Sequence, residues 1–269
     1  MTVAPPAVPD DDDLIISLRG ISKGFGAVQA LSDVSLDIYR GEVVAIVGDN
    51  GAGKSTLVKI LAGAHPADSG VIMHRGERVT ITNPSDSRDL GIATVFQDLA
   101  LCDNLDVVSN LFLGRELGTF ALDEVEMEQR SWTLLRQLSA KIPSVRTAVA
   151  ALSGGQRQTV AIARSLIGEP EIVILDEPTA ALGVAQTAEV LNLIERLRER
   201  GLGVVLISHN MADVQAVADR VVVLRLGRNN GDFRIPDVSY EEIIAAITGA
   251  TDNEVTRRAS AHQQERANS

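Results

Sequence analysis

Residues 48–55 constrain the fold of this chain more than any other segment. They read Gly-Asp-Asn-Gly-Ala-Gly-Lys-Ser and match the pattern G-x-x-x-x-G-K-[ST]. The apolar run 43–47 comes directly before them, and Leu57, Ile60 and Leu61 follow at helical spacing. A buried strand, a glycine-rich turn and a helix in this order are typical of a phosphate-binding loop in an α/β domain.

Each residue type in this loop suits a bound phosphate chain. Glycines let backbone N–H groups turn inward around phosphate oxygens, and the helix N-terminus adds the positive end of its dipole. Lys54 is expected to reach the β- and γ-phosphates, Ser55 to bind Mg²⁺ and Thr56 to touch the α-phosphate. The predicted phosphate-binding set is Gly48, Asp49, Asn50, Gly51, Ala52, Gly53, Lys54, Ser55 and Thr56.

Further apolar runs indicate a parallel sheet around this loop. They cover residues 172–175, 204–207 and 221–224, and helical spacing marks residues 190–200 between the first two. Strand, helix and strand in that order predict right-handed crossovers. The alternation at residues 34–38 predicts a half-buried strand, and residues 98–164 show helical patterning with few strand-like runs.

An acidic pair closes the run at residues 172–175. Asp176 is predicted to emerge at the carboxyl end of that strand, where ligands bind in open α/β sheets, and to be the second anchor for Mg²⁺. Glu177 follows at once and could orient or deprotonate a water beside a metal-bound triphosphate. Such a pair is often only a solvated cap, and the phosphate loop favours the catalytic interpretation.

The composition of the chain argues against several other classes of protein. The 269 residues carry 25 Lys and Arg against 36 Asp and Glu, a net charge of −11, and 3% aromatics. We therefore do not expect nucleic acid as a partner, since its binders usually carry a basic face or base-stacking aromatics. The single cysteine, Cys102, excludes a disulfide framework. No apolar window nears ~18 residues and no export signal is evident, which favours a cytoplasmic protein.

A second motif resembles a known family. Residues 152–156 read Leu-Ser-Gly-Gly-Gln, and together with the phosphate loop they resemble the ATP-binding cassette family. Gln97 is similar to the family's Q-loop glutamine, His209 to its switch histidine, and Phe25 to the A-loop aromatic that stacks on adenine. The resemblance spans about residues 14–248. It divides the chain into a disordered acidic arm (1–13), one ATPase domain (14–250) with a helical subdomain (about 98–164), and a flexible tail (251–269).

The resemblance implies a fold and a mechanism. The fold is an α/β P-loop NTPase core with a mainly parallel sheet, an N-terminal antiparallel β subdomain and an inserted helical subdomain. ATP and Mg²⁺ are the implied ligands. Glu177, His209 and Gln97 are the implied catalytic residues, with Gln97 also near the metal. The signature residues of a second copy would complete each nucleotide site, giving a homodimer around two ATP molecules; they are Ser153, Gly154, Gly155 and Gln156.

Finer resemblance points to one branch of the family. Residues 95–101, 110–116 and 180–187 are similar to the ATPase subunits of monosaccharide importers for ribose, xylose or fructose. Such a subunit would sit at the cytoplasmic face of the membrane, bound to a separate permease and indirectly to a substrate-binding protein. Another transported solute, an exporter and a non-transport ATPase are the alternatives. Gly183 stands where the family usually has an aspartate, which puts the coupling between the two sites in doubt.

Overall fold

The computed structural model describes residues 11–118 and 121–250. Its strands are β1 Leu14–Phe25, β2 Val28–Tyr39, β3 Val43–Val47, β4 Ser69–His74, β5 Glu77–Val79, β6 Ile92–Val95, β7 Ile172–Asp176, β8 Gly203–Ile207, β9 Arg220–Arg225 and β10 Arg228–Arg234. Its α-helices are α1 Lys54–Leu61, α2 Pro84–Asp89, α3 Val107–Phe112, α4 Glu124–Gln137, α5 Gly154–Leu166, α6 Val184–Glu199, α7 Met211–Val217 and α8 Tyr240–Thr248.

The central sheet has six strands in the order β10-β9-β3-β8-β7-β6. Strands β9, β3, β8, β7 and β6 are mutually parallel, and β10 pairs antiparallel with β9 at one edge. A second, four-stranded sheet has the order β2-β1-β4-β5 with antiparallel pairing throughout. The predicted class, an α/β core with a mainly parallel sheet and an N-terminal antiparallel sheet, is confirmed.

The central strands are apolar on both faces because both faces are covered. In β3, Val43, Ala45 and Val47 pack into a core shared with α5, α6 and α7. The alternate residues, Val44 and Ile46, pack into a second core with α1 and the antiparallel sheet. This period of two across a sheet covered on both sides explains why the run is apolar without interruption.

Two polar contacts join the sheets. The Asn229 side chain of β10 pairs with the backbone of Ser35 in β2, accepting from its N–H at 2.8 Å and donating to its carbonyl at 3.0 Å. Arg220 in β9 donates to both carboxylate oxygens of Glu42, at 2.9 and 3.0 Å, and to the carbonyl of Asp37 at 2.6 Å. The antiparallel sheet is thereby fixed against the core that carries the phosphate loop.

The stretch expected to be helical contains α3, α4 and α5, with one isolated β-bridge between Asp106 and Ala148. Of the acidic arm, Asp11–Asp13 form a 3₁₀ turn ahead of β1, whereas residues 1–10 and the predicted tail 251–269 lie outside the described residues. In residues 11–118 and 121–250 no helix is long and apolar enough to cross a bilayer.

Candidate active site

The carboxyl ends of three adjacent strands bring the predicted residues to one edge of the sheet. Ile207 at the end of β8 pairs with Ile46 of β3 on one side and with Asp176 of β7 on the other. Since neighbouring strands lie about 4.8 Å apart, the backbones of Ile46 and Asp176 are about 10 Å apart. The phosphate loop, the acidic pair and His209 therefore leave the sheet side by side.

Two glycines of the phosphate loop adopt backbone angles that other residues avoid. Gly48 has φ 146° and Gly53 has φ 106°. A Cβ on Gly48 would run into the Leu224 carbonyl of β9, and one on Gly53 would lie 2.6 Å from the Leu31 side chain. The loop therefore needs glycine at both positions for conformation and for close packing.

Lys54 begins α1 and folds back over the loop. Its Nζ donates to the carbonyl of Gly48 at 2.6 Å and to that of Asp49 at 3.1 Å. The next residue, Ser55, is exposed in the first turn of the helix. The ammonium group thus lies against the first two residues of the loop.

Asp176 is half-buried at the end of β7. Burial raises the pKa of its carboxyl group and the neighbouring Glu177 carboxylate raises it further, while the ammonium groups of Lys54 and Lys59 oppose the rise. A carboxylate held among these charges is a ready ligand for a cation, because a bound cation would offset both the burial and the repulsion.

Glu177 and His209 form a pair across the ends of β7 and β8. The Glu177 Oε2 atom lies 2.7 Å from His209 Nδ1, with the carboxylate side chain 15% exposed and the imidazole 72% exposed. Glu177 has the left-handed φ of 51°. Its backbone N–H donates to the Ile207 carbonyl at 2.9 Å, which holds this turn against β8.

Gln97 lies beyond the other side of the acidic pair. Strand β6 pairs with β7, with Val95 opposite Leu175, and Gln97 follows two residues later with an exposed side chain. Its neighbour Phe96 is 39% exposed. The structure therefore places Gln97 at the same sheet edge as Asp176.

Ser153 is the N-cap of α5 and closes a capping box with Gln156. The Ser153 side chain accepts from the Gln156 N–H at 3.3 Å, and Gln156 Oε1 accepts from the Ser153 N–H at 3.0 Å. Gln156 also donates to the Lys141 carbonyl at 2.8 Å, and Gly155 packs against Gln186 of α6. The four signature residues thus form a rigid helix start beside α6.

Phe25 lies at the end of the β1–β2 hairpin with a 45% exposed ring. His65 meets this ring edge-on at 5.4 Å between centroids, and Lys23 Nζ lies 5.6 Å from its centre. Phe25 pairs with Val28, three residues along β2 from Leu31, which touches the phosphate loop. Three strand residues span about 10 Å, a length that suits a nucleoside between the loop and the ring.

Comparison with known proteins decides the family. The model of the family described as ABC transporter matches residues 31–180. The chain belongs to the ABC transporter family. It is 43% identical over 235 residues to a xylose/arabinose import ATP-binding protein of Sulfolobus acidocaldarius, covering 87% of this chain and 94% of that protein. It is also 43% identical over 245 residues to a fructose import ATP-binding protein of Rhizobium meliloti, covering 88% and 94%.

Further ABC relatives include longer proteins and cassettes with solved structures. A ribose import ATP-binding protein of Caldanaerobacter subterraneus is 41% identical over 87% of this chain, which spans 48% of that relative. The ADP conformation of a cassette from an ABC transporter superposes with a TM-score of 0.76 at 26% identity, covering 87% of this chain and 95% of that one. A dimeric post-hydrolysis cassette bound to ADP and Pi gives 0.68 at 28% identity, covering 82% and 99%. The chain is an ABC-type ATPase.

Gly183, which departs from the usual ABC pattern, is the N-cap of α6. Its φ of −76° and ψ of 162° are ordinary extended values, and a Cβ there would meet no atom within 4 Å. Its N–H donates to Gln186 Oε1 at 3.4 Å. Neither backbone conformation nor space therefore requires glycine at this position.

One contact of this ABC site escaped the sequence reasoning. The Thr179 hydroxyl donates to Asp213 Oδ2 at 2.6 Å, joining the loop after Glu177 to the helix after His209. In the sequence, the only sign of this contact is that Asp213 follows His209 by four residues, about one helical turn. That spacing does not identify Thr179 as its partner. His65 beside Phe25 escaped for the same reason.

Proposed function

We propose that this ATPase energises the uptake of a monosaccharide through a separate membrane permease. The observation that carries the proposal is the 43% identity to the xylose/arabinose and fructose import ATP-binding proteins, in alignments that span 94% of each. Of the three segments that resemble monosaccharide importers, residues 95–101 contain Gln97 and residues 180–187 begin three positions after Glu177; the third is residues 110–116.

ATP is the substrate that the sheet edge is built to hold. The backbone N–H groups of residues 48–53 and the N-terminus of α1 surround the triphosphate, and Lys54 turns from its own loop carbonyls to the β- and γ-phosphates. Thr56 contacts the α-phosphate. Phe25 offers its exposed ring to adenine, with His65 beside it at a steep angle between the ring planes.

The donors at this edge fit Mg²⁺. Ser55, Asp176 and Gln97 offer hard oxygen atoms, and no cluster of three or more His, Cys, Asp or Glu side chains in residues 11–118 and 121–250 provides a complete metal cage. Mg²⁺ suits such a sparse set because it keeps water and takes further ligands from phosphates. When bound, it neutralises charge on the β- and γ-phosphate oxygens.

The chain's own groups then act on the attacking water. The Glu177 carboxylate accepts the water proton as the oxygen attacks the γ-phosphorus, and the bond from that phosphorus to the bridging oxygen of ADP breaks. His209, held 2.7 Å from Glu177, turns towards the γ-phosphate and supports the water's position. Its 72% exposure leaves the imidazole free to make that turn.

A second copy of the chain completes each site. The hydroxyl of Ser153 and the N–H groups of Gly154 and Gly155 offer donors to the γ-phosphate held by the other subunit, while Gln156 closes the capping box that holds this helix start in place. Binding of two ATP molecules therefore joins two copies head to tail, and hydrolysis followed by loss of the products separates them. The dimeric cassette with ADP and Pi supports this arrangement.

The permease docks in a groove between the central sheet and the helical region. The groove has a volume of about 490 Å³ and is lined by residues of β6, α3 and α5 and of the loops that follow β6 and α3. The lining includes Phe96, Leu99, Leu113, Arg115 and Arg164. Exposed Phe96 and Leu113 give it an apolar floor for a cytoplasmic helix of the permease. Because Gln97 follows Phe96 directly, docking is coupled to the nucleotide edge. The ATPase therefore works at the cytoplasmic face of the membrane.

Two variants test the site. Lys54→Ala should remove ATP binding, measured with a fluorescent ATP analogue. Glu177→Gln should bind ATP normally, hydrolyse it at least about a hundredfold more slowly and elute as a dimer with ATP and Mg²⁺. If that variant eluted as a monomer at saturating ATP, the proposed homodimer around two ATP molecules would be contradicted.

A deletion strain tests the transported solute. Loss of the gene should abolish the uptake of one pentose or hexose, and a copy encoding Glu177→Gln should not restore it. The sugar assignment would be wrong if the uptake of every sugar tested were unchanged and a permease for another class of solute co-purified with the chain. That result would not affect the assignment of ATPase activity.

A further inference from the structure

A buried polar contact lies behind the pair formed by Glu177 and His209. Thr179 lies two residues after Glu177, and Asp213 lies four residues after His209. The 2.6 Å hydrogen bond from Thr179 Oγ1 to Asp213 Oδ2 joins these two segments. The two residues are 34 positions apart in the sequence. Asp213 is only 6% exposed, so its carboxylate accepts this bond largely out of water.

On the Glu177 side, this bond fastens a strained turn. Glu177 has φ 51°, a region that residues other than glycine rarely adopt. The turn continues with the Ala180 N–H donating to the Glu177 carbonyl at 3.1 Å and the Leu182 N–H to the Thr179 carbonyl at 3.2 Å. Thr179 is the member of this turn whose side chain bonds to α7, so it ties the turn to the His209 side.

On the His209 side, the bond fastens the start of α7. Asn210 caps this helix by accepting from the Ala212 N–H at 3.1 Å, and its own N–H donates to the Ser208 hydroxyl at 3.0 Å. Asp213 lies in the first turn of the same helix. The backbone of His209 is thus fixed between β8 and a helix start that Thr179 holds.

We propose that Thr179 and Asp213 are positioning residues for ATP hydrolysis. Their hydrogen bond sets the separation of the Glu177 and His209 backbones, and so keeps the carboxylate and the imidazole within reach of the same water. The bond is short and has a charged acceptor, which makes it stronger and more directional than a neutral one. This inference rests on the catalytic roles proposed above for Glu177 and His209.

The test compares kcat and KM for ATP in the purified chain with Mg²⁺. Thr179→Val keeps the shape of the side chain and removes the donor. It should lower kcat by about tenfold to a hundredfold, as expected for a small misplacement of reacting groups, with KM for ATP within about twofold of the parent. Thr179→Ser keeps the hydroxyl and should restore kcat. Thr133→Val, which removes an exposed hydroxyl within α4, is the matched control and should change neither constant.

A double-mutant cycle identifies the partner. Asp213→Ala should lower kcat as Thr179→Val does, and the double variant should be no slower than the slower single one. Losses that multiply would overturn the proposal, as would a folded Thr179→Val enzyme with the parent kcat, or an equal loss in Thr179→Ser. If Thr179→Val or Asp213→Ala does not fold, Asp213→Asn decides: it keeps the shape and an acceptor oxygen but removes the charge that strengthens the bond, so a kcat below that of the parent with unchanged KM supports the role and a kcat equal to that of the parent refutes it.

The outcome separates this inference from the proposed function. A parent chain without ATPase activity, or a Glu177→Gln variant as fast as the parent, would refute the proposed catalytic site itself. An active parent with a slow Glu177→Gln variant and a fast Thr179→Val variant would refute only the positioning role.

Discussion

Arg220 provides the sharpest test of how the two sheets are held together. Its guanidinium makes a two-point contact with Glu42 at 2.9 and 3.0 Å, reaches Asp232 at 3.0 Å and lies 5.7 Å from the centre of the Tyr39 ring. Burial opposes its charge, but the carboxylates of Glu42 and Asp232 outweigh burial and raise the pKa of Arg220. The group is therefore charged at any pH at which the protein folds.

Arg220→Met should destabilise the fold strongly. Glu42 is 3% exposed, so the variant leaves a buried carboxylate without its cation, a loss of about 3–5 kcal/mol. The contact with Asp232, which is 55% exposed, adds little. For a chain of this size, about 2–4 °C of Tm accompanies each kcal/mol, so Tm should fall by roughly 6–20 °C.

Urea unfolding at 25 °C measures this loss, with Glu42→Gln/Arg220→Met as the control. The double variant removes both charges and should recover at least half of the loss, because no unpaired charge remains buried. A single variant within about 1 kcal/mol of the parent, or a double variant as unstable as the sum of the singles, would refute the reasoning.

Three further outcomes are expected. Asp176→Asn should raise Tm without nucleotide more at pH 7 than at pH 3.5: burial raises the pKa of Asp176, so its charge destabilises the fold above that pKa, and this cost shrinks as the pH falls towards the ordinary Asp pKa of 3.8. Gly183→Asp should cap α6 and raise Tm by about 1–4 °C, whereas Gly183→Ala should not. Gly48→Ala should abolish binding of a fluorescent ATP analogue, because its Cβ meets the Leu224 carbonyl; Gly183→Ala, placed in open space, should bind it normally.

The central strands were predictable and the edge strands were not, for one physical reason. Strands β3 and β8 are buried on both faces, so their sequences are continuously apolar. Strand β10 reads Arg-Asn-Asn-Gly-Asp-Phe-Arg and carries no such signal. Its position depends on pairing with β9 and on the bond from Asn229 to Ser35. Strand β5, at an edge of the antiparallel sheet, likewise has no buried residue.

The candidate site was also predictable only in part. Its residues could be proposed because motifs mark them and strand ends place them at one edge. The pairing of Glu177 with His209, and of Thr179 with Asp213, depends on how two loops meet across the edge. A single sequence carries no record of such distances.

The resting position of Lys54 has a consequence for ligand choice. Its ammonium already holds the carbonyl oxygens of Gly48 and Asp49, at 2.6 and 3.1 Å. The ammonium group has three N–H donors, so an incoming anion can bind the remaining one at once but gains all three only by replacing both oxygens. A lone phosphate group offers few oxygens to do so, whereas a triphosphate offers several, spread along the whole loop. The carbonyl oxygens of the loop therefore compete with small anions for Lys54. A ligand that binds the loop at many points displaces them more readily.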